Sequence, residues 1–132
     1  MRFLSLSSTL VAIYAISTLV EAGDSSYKPD KAHYTFAIYR GKDVFGTAIA
    51  KTTLNCHPTG GTHPHAKAAC SALDKAHGDF KKLKSTNTVC IAIFDPVTIS
   101  IKGKRNGSTV NFERTYSNRC IMVSDSGRVF DF

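Results

Sequence analysis

Beyond its first twenty residues the chain has no apolar run long enough to cross a bilayer, and it contains no internal repeat or low-complexity tract. A G-x-S-x-G nucleophile turn is missing, as are the C-x2-C and H-x3-H spacings of structural zinc sites. No motif asks for a cofactor or a metal. Acidic residues are scarce: 10 Asp and Glu stand against 17 Lys and Arg, a formal charge of +7. These absences leave no helical membrane span beyond the first twenty residues and no repeat architecture, and they offer little for hydrolase chemistry. The basic excess permits a nucleic-acid or anionic-surface partner. Yet the charge is spread rather than blocked, with Lys81-Lys82-x-Lys84 and Lys102-x-Lys104-Arg105 its densest clusters. It reads as solvated surface, so neither nucleic acid nor membrane is the expected partner.

What is present begins with a leader. Arg2 precedes an apolar stretch over residues 9–20, and Val20-Glu21-Ala22 has small residues at the two positions a signal peptidase reads. Residues 1–22 are therefore expected to be a secretory signal peptide, and residues 23–132 one exported, extracellular domain. Its residues 23–31 are polar and are expected to form a loose arm. Four cysteines, Cys56, Cys70, Cys90 and Cys120, lie in that domain. An even number in a small exported domain predicts two disulfides. Three pairings are open, and sequence order favours Cys56–Cys70 with Cys90–Cys120. Zinc is the competing use, since His57, His63 and His65 lie near Cys56.

Alternation predicts a strand at residues 33–40, a turn at Gly41-Lys42-Asp43 and a second strand over 44–55. A loop follows to Pro64, which can open a helix because it needs no donor there. Ala66, Ala69, Cys70, Leu73 and Ala76 then recur at helical spacing, and Gly78 is the stop. Asp79-Phe80-Lys81-Lys82-Leu83 suits one further helical turn. Residues 97–102 and 109–116 form a hairpin about Asn106-Gly107, and residues 129–132 a last short strand. Asn106-Gly107-Ser108 is also an N-glycosylation acceptor. The expected fold is α+β: a mostly antiparallel five-stranded sheet, covered on one face by one longer and one short helix, with two disulfides.

One segment does not fit a core strand comfortably. Val89-Cys90-Ile91-Ala92-Ile93-Phe94-Asp95-Pro96 is apolar, but Pro96 lacks a donor and pushes Asp95 into extended or turn geometry. Two readings fit. The plainer is an edge strand carrying a structural disulfide. The other is an extended peptide held out for recognition, tethered by Cys90 at one end and by the proline at the other.

Gly61-Thr62-His63-Pro64 with Cys70, Gly78-Asp79-Phe80 with Leu83, and Cys90 with Asp95-Pro96-Val97 recur in a characteristic order. Phe112-Glu113-Arg114, Ser117-Asn118-x-Cys120 and Val129-Phe130-x-Phe132 continue it. Together, across about residues 56–132, they resemble the Streptomyces subtilisin inhibitor family of secreted serine-protease inhibitors. The resemblance implies an α/β sandwich, the pairs Cys56–Cys70 and Cys90–Cys120, and often a homodimer through the sheet. It also favours the displayed reading of residues 89–96, with no catalytic residue of the chain's own. The reactive bond would be Ala92-Ile93. Val89, Cys90 and Ile91 would precede Ala92 at P4 to P2, Phe94 and Asp95 would follow Ile93, and Asn118 and Pro96 would support the loop. Where bacterial members often place proline at P2, this chain has Ile91, and its first two cysteines lie slightly closer together.

The implied partner is a subtilisin-like or other serine protease with a small or apolar S1 pocket, matched to Ala92. Two other functions are open on the residues. One is an inhibitor fold reused as an extracellular binding or host-interaction protein. The other is a small secreted ribonuclease-like hydrolase using His33, Glu113 and Arg119.

Overall fold

A computed structural model describes residues 30–132. The expected signal peptide, and the arm up to residue 29, lie outside the described residues. Four strands form one antiparallel sheet: β1 (Ala32–Arg40), β2 (Ala50–Cys56), β3 (Val97–Arg105) and β4 (Ser108–Tyr116), in the order β2-β1-β3-β4. Helix α1 (Ala66–Lys75), a 3-10 turn (Phe80–Lys82) and helix α2 (Arg119–Asp125) complete the elements. Among the described residues no helix is long and apolar enough to cross a membrane.

The sheet follows from period-two alternation. Tyr34, Phe36 and Ile38 of β1, Leu54 of β2, and Ile99 and Ile101 of β3 all point to one face and are buried. Register places Phe36 opposite Ile101 and Thr52, so this face is continuous across three strands. The facing layer is aromatic. Phe80 meets Tyr34 edge-on at 5.1 Å, and Phe130 meets Phe36 edge-on at 6.1 Å. Ala69, Cys70 and Leu73 of α1 complete the layer, small enough to let the helix lie close. The β3–β4 hairpin turns at Asn106 and Gly107, both at positive φ, the geometry that matches the twist of paired strands.

Several expectations are corrected. Among the described residues the sheet has four strands, not five. Residues 129–132 are no strand: Val129 and Phe130 are buried, but their amides bond back to Ser126, to its carbonyl and its Oγ respectively. A backbone satisfied locally has no need of a ladder. β2 starts at Ala50 rather than at Val44, because Gly46 at φ 90 breaks the extended run. Residues 117–120 do not merely reverse the chain, since they open α2. Helix α1 begins at Ala66, beyond Pro64. Its stop is a Schellman motif in which His77 rather than Gly78 takes the first left-handed position. Gly78 N–H reaches Leu73 O at 2.8 Å and His77 N–H reaches Asp74 O at 3.0 Å. The short helix expected over 79–83 is the three-residue 3-10 turn, capped by Asp79 accepting from Lys81 N–H. At the end of the expected arm, Lys31 O accepts from Asn106 N–H at 2.7 Å and Asp30 pairs with Arg105.

Candidate functional site

Between the 3-10 turn and β3 the chain runs without regular structure, and its large apolar side chains from Val89 to Phe94 face water. Val89 is 96% exposed, Ile91 78% and Phe94 72%. Ala92, Ile93 and Asp95 are exposed as well, whereas Cys90 and Pro96 are half-buried. Leaving a large apolar side chain in water forgoes about 1.5–3 kcal/mol of burial each. The displayed segment therefore has to be held out, and α2 supplies most of the hold.

In helix α2 Met122 is fully buried, and Ile121 and Val123 pack partly against the core. Cys120 and Ser124 are four residues apart and so share a helical face, and both bind the loop. Cys120 forms the disulfide with Cys90. Ser124 O accepts from Thr86 N–H at 2.9 Å, and Ser124 Oγ accepts from Thr88 N–H at 3.1 Å. The stem before Cys90 is thus bonded to the last turn of the helix.

Asn118 holds the other half. It is 7% exposed and is the N-cap of α2, its Oδ1 accepting from Ile121 N–H at 2.9 Å. Its Nδ2 donates to Ile93 O at 2.8 Å and, at the longer distance of 3.5 Å, to Ile91 O. A bond of 2.8 Å from Ile93 N–H to Ile91 O closes a three-residue turn centred on Ala92. Ala92 therefore sits at the crest of a tight turn whose flanking carbonyls face one buried amide. Downstream, Asp95 N–H reaches Ser117 O at 2.9 Å, and Pro96 O accepts from Gly41 N–H at 2.7 Å as β3 begins.

The second disulfide, Cys56–Cys70, ties β2 to α1 and lies in the core. The nearby histidines have separate partners. His57 Nε2 meets Asp74 at 2.9 Å. His63 is buried, donates from Nε2 to Val129 O at 2.8 Å and accepts at Nδ1 from His65 N–H. Burial holds its pKa below the ordinary value of 6.5, more strongly than the Val129 bond raises it; His65 lowers it further and Asp131 opposes. Among the described residues no three His, Cys, Asp or Glu side chains converge on a metal position.

His33, Glu113 and Arg119 are not brought together. His33 lies near the start of β1, opposite Lys104, while Arg119 opens α2 just past the Tyr116 end of β4. Those are opposite ends of the sheet, because Tyr116 pairs with Val97 and Val97 with Arg40. Arg119 instead binds the carbonyl of Phe132, and His33 binds Asn55.

The sequence reasoning missed α2 and, with it, Ser124. A signal was there: Ser117-Asn118 is a cap pair directly before Ile121-Met122-Val123, and Gly127 is a stop.

Comparison with known proteins places this arrangement. The family described as subtilisin inhibitor-like matches residues 31–118. A subtilase-type protease inhibitor of Streptomyces fradiae is 36% identical over 97% of this chain and 95% of its own. Plasminostreptin of Streptomyces antifibrinolyticus is 45% identical over 61% of this chain and 75% of its own. Among solved structures, Streptomyces caespitosus sermetstatin in complex with Bacillus licheniformis subtilisin superposes with a TM-score of 0.59 at 32% identity. The match covers 80% of this chain and 100% of that one. On its sequence and its fold alike, this chain belongs to the subtilisin inhibitor-like family.

Proposed function

We propose that the chain is a secreted, substrate-like inhibitor of subtilisin-type serine endopeptidases, presenting Ala92-Ile93 as the reactive bond. The single observation that carries this is the apolar segment 89–95, exposed to water yet fastened on both sides of Ala92. The family is one of protease inhibitors rather than enzymes, and the sermetstatin structure contains a subtilisin.

The mechanism is mechanical. The loop adds as a strand to the protease cleft, with Val89 in S4 and Ala92 in S1. Already ordered, it loses little conformational entropy on docking. When the protease serine attacks the Ala92 carbonyl, the amine of Ile93 becomes the leaving group. That amine stays in place: Asn118 holds the Ile93 carbonyl, and Ser117 and β3 hold the chain beyond. On the acyl side Cys90–Cys120 prevents retreat. With both new ends at high effective concentration, resealing outruns hydrolysis.

Ala92 suits a small or apolar S1 pocket. A trypsin-type pocket would bury its carboxylate without a cation. Export rests on the signal peptide expected at residues 1–22. A homodimer through the sheet would form across a polar outer face, where Thr35, Lys51, Lys102 and Glu113 are exposed, and sedimentation of the exported chain measures it.

The test is titration of residues 23–132 against subtilisin, followed by N-terminal sequencing of any nicked product. Stoichiometric inhibition with a new terminus at Ile93 is expected. Rapid hydrolysis without inhibition, or a terminus elsewhere, overturns the assignment.

A further inference from the structure

Among the described residues six large apolar side chains are exposed: Phe45, Ile49, Val89, Ile91, Ile93 and Phe94. Four belong to the displayed loop. The other two lie in the connector between β1 and β2, residues 41–49. Phe45 is 86% exposed, nearly as bare as Val89.

The connector is joined to the loop at its downstream foot. Gly41 N–H donates to Pro96 O at 2.7 Å, and Gly41 O accepts from Thr98 Oγ1 at 2.8 Å. The ammonium of Lys42 lies 5.5 Å from the centre of the Phe94 ring, within cation–π range. Sheet register explains the meeting: Arg40, the last residue of β1, pairs with Val97, the first of β3. Whatever leaves β1 must emerge beside whatever enters β3. Its far end is fixed by Ile49 N–H to Ile38 O at 2.8 Å, so residues 41–49 span a closed excursion.

We propose that this connector is a second contact strip for the same protease, on the leaving-group side, with Phe45 as its apolar anchor. The inference rests on the protease reading above and extends it to the primed side. A specific protein interface covers about 800 Å² of each partner, more than a seven-residue strand supplies, so neighbouring surface must contribute. A protease gripping Ala92-Ile93 extends past Phe94 towards Pro96, where the connector is attached. Aromatic anchors carry most of the energy of such contacts. The partner chemistry is an apolar rim beyond the subsite that takes Phe94, and Lys42 holds Phe94 in register with it.

The experiment uses the exported chain and subtilisin, with Phe45→Asp, Phe45→Ala and Phe45→Tyr measured beside the parent. Because Phe45 is exposed, the thermal midpoint is expected not to move. Phe45→Asp is expected to raise the inhibition constant tenfold or more, Phe45→Ala about fivefold, and Phe45→Tyr is expected to restore it. An unchanged constant for Phe45→Asp, in a chain whose inhibition does respond to substitution of Ala92, overturns the strip and leaves the protease reading standing. A parent chain that binds no subtilisin overturns both. Self-association abolished by Phe45→Asp at an unchanged inhibition constant assigns the strip to a second copy and also overturns the proposal.

Discussion

The side-chain amide of Asn118 donates to the carbonyl of Ile93 at 2.8 Å, while its oxygen caps α2 through Ile121 N–H at 2.9 Å. One buried residue thus joins the exposed loop to the helix that supports it. The loop's hold and the helix cap therefore depend on the same side chain.

Separating the two bonds tests that coupling. Asn118→Asp keeps an oxygen for Ile121 N–H but has no donor for Ile93 O. It is expected to keep the cap but to lower the thermal midpoint, because a buried carboxylate oxygen then faces the Ile93 carbonyl, while nicking at Ala92-Ile93 rises about tenfold as the leaving amine loses its tether. Asn118→Ala is expected to show the same nicking and to lose about 1 kcal/mol from the missing cap as well. Thermal melting and mass spectrometry of the incubated complex read the two effects independently.

Replacing Cys90 and Cys120 by serine removes a cross-link over a sequence separation of 30. Loop-closure entropy puts the stability loss at up to about 3.5 kcal/mol. With Asn118 and Ser124 still bonding the segment, the domain is expected to fold in mild conditions but to be hydrolysed as a substrate. Denaturant melts and the turnover number of subtilisin on the variant decide it.

Ala92→Lys places a cation at the exposed crest without touching the core. Trypsin inhibition is expected to appear where the parent has none, with the fold unchanged. An inert variant in a trypsin titration would remove Ala92 from the S1 position.

His63 makes stability depend on pH. Its folded pKa is depressed, chiefly by burial, so on acidification the unfolded chain takes the proton first. The stability this group contributes is whole above its ordinary value of 6.5 and is lost as pH falls below that value. The Nδ1 lone pair that accepts His65 N–H is also the site the proton would take. Asp131 acts in a separate window. Its carboxyl is held below 3.8, first by the hydrogen bond from Arg128, so its contribution persists until pH drops under that value. Thermal midpoints between pH 7 and pH 5 are expected to fall in the parent and to fall less in His63→Gln.

Much of the scaffold was legible because its signals are local. Tyr34-x-Phe36-x-Ile38 and Ile99-x-Ile101 alternate cleanly, Asn106-Gly107 marks its hairpin, and Ala69, Cys70 and Leu73 recur at helical spacing. Helix α2 was not legible in the same way. Seven residues offer too few turns for a period, and its caps do work that reads equally well as a turn. Val129 and Phe130 looked like a strand because two adjacent apolar residues cannot distinguish a pleat from a buried turn.

The chain's own order of residues determined that an apolar run carrying Cys90 and ended by Pro96 makes a poor central strand, and left an edge strand and a displayed peptide both open. It also placed Ala92, small and neutral, near the centre of that run. Only the tertiary structure decided how that peptide is braced. Asn118, Cys120 and Ser124 come against residues 86–93 because α2 folds beneath them, and Lys42 reaches Phe94 because β1 ends where β3 begins. Such contacts join residues distant in the chain, and no local pattern of charge or hydrophobicity encodes a distance in space.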